Sequence, residues 1–129
     1  MKKIFALLVT ALAAASLYAA SSFPEISVAD VNAAAGSKSA VIIDVNGTES
    51  YKSGHVPGAL NYDAIEGKLA ASLPKDKNAL IVAYCRNPQC GAYVRAATAA
   101  QKLGYTNVKH MTAGIMGWKD AGMKTEAAK

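Results

Sequence analysis

The sequence predicts an α/β fold, a mostly parallel five-stranded sheet flanked by helices on both faces. Three observations carry that prediction. Residues 79–84 are a continuous apolar run rich in β-formers and 40–45 a second such strand that ends in an acid, Asp44, the pattern of strands buried on both faces in a parallel sheet. Segments with apolar residues at helical spacing separate the strand candidates, so strand and helix alternate along the chain. The chain of 129 residues is also the length of a single domain.

Residues 1–20 open with Lys2 and Lys3, run almost wholly apolar to Leu17 and end in small residues, which is the pattern of a secretory signal peptide. The apolar run falls short of the roughly 20 residues that a membrane span needs. This leaves 21–129 as the folded domain, periplasmic or secreted, with no stable membrane insertion once the signal is removed.

Residues 26–28 read as a short extended piece, and Ser27 with Asp30 as a capping pair for a helix over 29–35. Residues 36–39 form a turn into the first buried strand, which ends at Asp44 before Asn46-Gly47. Residues 48–52 hold one or two helical turns, 53–58 are irregular and 59–62 are a brief strand. Asp63, with Glu66 three residues on, caps a helix that Leu73-Pro74 stops. Beyond the central strand, Tyr93, Ala96, Ala97, Ala100 and Leu103 share one helical face, closed by Gly104. Residues 107–111 are the last strand, and Ile115, Met116, Trp118 and Ala121 suit a final helix ending at Gly122. The polar stretch 124–129 reads as a frayed tail.

The central strand stops at Cys85 and a short loop, Arg86-Asn87-Pro88-Gln89-Cys90-Gly91, before a helix begins. Strand, tight loop and helix aim backbone N–H groups and the positive end of a helix dipole at one point. A thiol at that point is expected to be acidic, partly exposed and nucleophilic; the alternative is a buried structural cysteine. The loop N–H groups would cradle an oxyanion or an outer sulfur, with Pro88 supplying none, and Arg86 would recruit an anionic donor or point into solvent. Cys90 reads as a resolving thiol or as a small plug at the helix start. A bridge between cysteines so close in sequence closes a small loop and staples little chain entropy, so it reads as a redox option. Asp44 and His55 could complete a Cys-His-Asp triad, but loop-ordering hydrogen bonds are the preferred reading.

Lys and Arg outnumber Asp and Glu by 14 to 9, for a net charge of +5. The cations are scattered, whereas a nucleic-acid surface clusters them, so no nucleic-acid partner is expected. Cys85, Cys90, His55 and His110 match no common zinc spacing, so neither a metal nor a cofactor is expected.

Three stretches in order, Ile42-Ile43-Asp44-Val45, Gly54-His55-Val56-Pro57-Gly58-Ala59 and Tyr84-Cys85-Arg86, resemble the rhodanese-like domains of the exported bacterial type, with Gly114-Ile115 and Trp118 as a weaker fourth match. The resemblance covers about 26–123 and implies a single-domain sulfurtransferase. It makes Cys85 the persulfide carrier, moving a sulfane sulfur from thiosulfate or a persulfide donor to a thiol or cyanide. It also implies small sulfur-containing anions, and a partner oxidoreductase or thiol protein, as its company. Asn46 stands where the family often has Arg, Pro88 where many loops have Gly, and Cys90 where a common loop closes with Arg. These departures put fast thiosulfate turnover in doubt. Two alternatives stay open, a sulfur carrier that turns over poorly alone and a thiol-redox protein using Cys85 and Cys90. Phosphatase or arsenate-reductase chemistry wants Arg six residues after the cysteine, where Gly91 stands.

Overall fold

The computed structural model describes residues 23–128; the expected signal segment, 1–20, lies outside them. Helix α1 (Val28–Ser37) leads into β1 (Ala40–Asp44), α2 (Thr48–Ser53) and β2 (Leu60–Asn61). Then come α3 (Tyr62–Ile65), a 3-10 turn (Glu66–Lys68) and α4 (Leu69–Ser72). The chain closes with β3 (Leu80–Tyr84), α5 (Tyr93–Lys102), β4 (Val108–His110) and α6 (Gly114–Asp120).

The strands lie in the order β2-β1-β3-β4, all parallel. The two apolar runs are its centre, with Asp44 opposite Tyr84 in register. Strand alternation sorts their side chains onto two faces. Ile43, Ile81 and Ala83 pack with Ala96, Ala97 and Ala100 of α5. Ile42, Val82 and Tyr84 pack with Val31, Ile115 and Trp118 of α1 and α6. The small alanines let α5 lie close to the sheet, which brings its N-terminus over the end of β3.

Among the described residues the sheet has four strands where five were expected. The piece at 26–28 becomes a single bridge, Glu25 to His110, with the Ile26 N–H donating to the His110 carbonyl at 3.0 Å. Ser27 is the reason: its hydroxyl accepts the Asp30 N–H at 3.1 Å, so capping starts the helix at Val28 and ends the extended stretch. Asp63 is likewise not the cap of the helix after β2. Asn61 takes that place, accepting the Asp63 N–H at 3.2 Å, and the expected single helix is broken where Lys68 adopts φ −139° and ψ 34°.

The tail is not frayed over 124–128. Glu126 pairs antiparallel with His55, exchanging two backbone hydrogen bonds of 2.9 Å, and the Ala128 N–H reaches the Lys52 carbonyl at 3.0 Å. A backbone strap satisfied in this way needs no apolar pattern of its own, which is why the polar sequence concealed it.

Candidate active site

Cys85 follows β3 directly and is 1% exposed. Its thiol donates to the Cys90 carbonyl at 3.1 Å. The Cys85 carbonyl accepts from the Asn46 side-chain amide and from the Ile115 N–H, each at 3.0 Å, and the Arg86 carbonyl accepts from Met116 N–H at 3.0 Å. Two loop carbonyls are thus bonded by N–H groups at the start of α6. The approach is so close that only glycine fits at position 114. Gly114 has φ +66°, and a Cβ there would sit 2.5 Å from the Arg86 carbonyl.

The rest of the loop bonds within itself. Asn87 forms an Asx turn, its side chain accepting the Gln89 N–H at 3.1 Å and its carbonyl the Cys90 N–H at 3.1 Å. Two of the N–H groups expected to cradle an anion are therefore already used. The amides that face sulfur are those of Arg86 and Tyr93 at Cys85, and of Arg86 and Ala92 at Cys90. Ala92 and Tyr93 were missed in the sequence; their signal is their place at the first turn of a helix, where N–H groups lack intrahelical partners.

The expected acidity of Cys85 is overturned. Burial pushes its thiol up from 9.0 to about 11, and the hydrogen bond with Cys90 adds to this, against the opposing N–H groups of Tyr93 and Arg86. Cys90 goes the other way. Burial alone would raise it, but the Arg86 and Ala92 amides, the Cys85 thiol and the Arg86 charge together lower it below the ordinary thiol value. Cys90 is half-buried and opens on a cleft of about 460 Å³ whose walls include Pro88, Gly91, Tyr93, His110 and Thr112. Arg86 faces elsewhere, lining a cleft of about 530 Å³ with Asn46, Ser50, Met116 and Lys119.

Asp44 and His55 are not joined to the thiols by any hydrogen bond, and no triad is assembled. Asp44, 1% exposed, accepts the Tyr84 hydroxyl at 2.6 Å and the Asn46 N–H at 2.8 Å. Burial raises its carboxyl above the ordinary value in spite of these donors. The Tyr84 hydroxyl in turn accepts the Val56 N–H at 3.0 Å, which ties β1 and β3 to the 53–58 loop. His55 stacks on the Tyr51 ring at 3.7 Å and places Nδ1 2.7 Å from the Tyr51 carbonyl. Asp44 thus reaches the site only through Asn46, whose side chain holds the Cys85 carbonyl. His110, undervalued by sequence reasoning, stacks on Tyr93 at 3.3 Å, and burial lowers its basicity. Among the described residues, no group of three or more His, Cys, Asp or Glu is arranged to hold a metal.

A parallel α/β domain that presents a cysteine at the carboxyl end of its central strand is the class that fold and site define. The rhodanese-like domain family matches residues 27–121, and the chain belongs to that family. It is similar to the HTH-type transcriptional regulator Rv0324 of Mycobacterium tuberculosis, 35% identical over 86 residues, which cover 66% of this chain and 37% of that protein. The chain therefore spans little more than a third of that relative. Among solved structures, it is similar to RPA3614 of Rhodopseudomonas palustris, described as of unknown function and a possible tyrosine phosphatase, with 25% identity, a TM-score of 0.65 and coverage of 98% of this chain and 99% of that one. It is also similar in fold to SseA of Escherichia coli, a 3-mercaptopyruvate sulfotransferase, with 16% identity, a TM-score of 0.68 and coverage of 83% and 51%.

Proposed function

We propose that this chain is an exported sulfurtransferase that carries a sulfane sulfur on Cys85. The observation that supports it most is the placing of the Cys85 sulfur at the end of β3, with the N–H groups of Arg86 and Tyr93 turned toward it, in a chain of the rhodanese-like family. The Cys85 thiolate attacks the sulfane sulfur of a donor such as thiosulfate, sulfite leaves, and Cys85 holds a persulfide. A thiol or cyanide then attacks the outer sulfur and regenerates the thiolate. Because Cys85 is covered, the donor enters only when the 87–91 part of the loop swings aside and the contact from the thiol to the Cys90 carbonyl opens. With its thiol held protonated, the protein turns over slowly at neutral pH. Gly91, with no cationic side chain, speaks against the phosphatase reading, since a phosphoryl group needs charge stabilisation there. Residues 1–20 support export to an oxidising compartment.

Intact-mass measurement after mixing with a sulfane donor tests this reading. Cys85→Ser should show no added sulfur at position 85 while keeping its fold. Sulfur loading in that variant equal to wild type would place the chemistry elsewhere.

A further inference from the structure

We propose that the Cys85–Cys90 pair makes the protein a sulfane-sulfur reductase, in which Cys90 discharges the Cys85 persulfide by forming a disulfide and expelling hydrosulfide into the cleft beside Cys90. The inference rests on the Cys85 persulfide reading. It begins with the geometry around the buried thiol. The Cys85 S–H points at the Cys90 carbonyl oxygen 3.1 Å away, a gap that a hydrogen fills and a sulfur atom does not. An outer sulfur added to Cys85 is forced off that line, since a carbonyl oxygen repels an anionic sulfur held against it. The loop is built around two thiols and leaves a stored persulfide poorly housed.

The second thiol is the group best placed to attack. The Cys90 backbone is in direct contact with the Cys85 sulfur, its carbonyl oxygen 3.1 Å away, which makes Cys90 the neighbouring thiol across the loop. The Asx turn at Asn87 folds the loop back so that residue 90 returns to the end of β3 beside Cys85. Of the two, Cys90 has its thiol lowered below the ordinary value, because amide N–H groups and the Arg86 charge favour its anion. A thiolate beside a persulfide undergoes thiol–disulfide exchange at the sulfur it reaches. The bond that forms joins the two Sγ atoms, and the bond that breaks is the one from Cys85 Sγ to the outer sulfur. The outer sulfur leaves with the electron pair of that bond as hydrosulfide, fully reduced, while the two cysteine sulfurs are oxidised to a disulfide. An external dithiol reductant then attacks the disulfide and restores both thiols. Over a cycle, one sulfane sulfur is reduced to hydrosulfide and one dithiol is oxidised.

Departure of hydrosulfide is served by the same site. Cys90 borders the open cleft that His110 also lines, and burial lowers the basicity of that ring.

A single-turnover experiment without reductant tests the proposal, using the purified, pre-reduced full chain mixed anaerobically with one equivalent of glutathione persulfide. Wild type should release one equivalent of hydrosulfide and end two hydrogens below the dithiol mass. Cys90→Ser should release none and keep the added sulfur, a gain of about 32 mass units. Wild type that holds the added sulfur with no hydrosulfide released overturns the reductase inference and leaves the sulfurtransferase standing. If neither protein gains mass nor releases hydrosulfide, the Cys85 persulfide reading fails and the inference goes with it.

Discussion

The two halves of the loop after β3 are held in different ways. Its start is clamped from outside, with the Cys85 and Arg86 carbonyls gripped by Asn46, Ile115 and Met116. Its far half bonds to itself through Asn87, and the Cys90 carbonyl is tied back by the Cys85 thiol. A thiol is a weak donor, and its hydrogen is lost the moment Cys85 ionises or takes a sulfur. The fixed half sets where the chemistry happens. The other half is restrained by a hydrogen that ionisation of Cys85 removes.

Raising the pH gives the largest expected effect on this contrast. With the Cys85 thiol pushed up to about 11, its thiolate fraction rises about tenfold per pH unit below that value. Sulfur capture at Cys85, followed by peptide mapping, should accelerate roughly a thousandfold between pH 7 and pH 10. A plateau reached by about pH 8 would mean an acidic thiol and would erase the difference between the cysteines.

Substitution at the clamp comes next. Gly114→Ala places a Cβ against the Arg86 carbonyl at a left-handed position, and should cost about 2–4 kcal/mol in denaturant unfolding. A loss below about 0.5 kcal/mol, the size of an ordinary surface change, would show that the start of the loop yields easily. Asn46→Ala removes one donor to the Cys85 carbonyl and should cost about 1 kcal/mol. It should also slow sulfur loading, because the reacting residue is less firmly placed. Unchanged kinetics would separate that hydrogen bond from the chemistry. The smallest effect is expected in the far half. Gln89→Ala leaves the N–H bond to Asn87 intact, and chemical denaturation should show a change within about 0.5 kcal/mol.

Much of the frame was legible in the sequence for simple reasons. Residues 79–84 are apolar without interruption and 40–45 are broken only by Asp44, the pattern of strands covered on both sides, and the alanines of 92–103 fall on one helical face. Cys85 was located because the run ended on it. Its raised thiol was not legible, since that comes first from burial under the loop, and the backbone orientation that covers a side chain is reported by no residue type. The amides of Ala92 and Tyr93 were hidden for the same reason. The stack of Tyr93 on His110 joins the first turn of α5 to the end of β4, and sequence spacing carries no trace of it. The tail strap escaped because backbone pairing leaves polar side chains free, so a docked segment and a loose one read alike.

Trp118 is the chain's one tryptophan. It is buried on α6, its indole donating to the Lys124 carbonyl at 2.8 Å, one turn beyond the residues that hold Cys85 and Arg86. The clamp on Cys85 and an intrinsic fluorophore thus share one short helix. Tryptophan emission in stopped flow is therefore a label-free signal to set against the sulfur transfer proposed at Cys85.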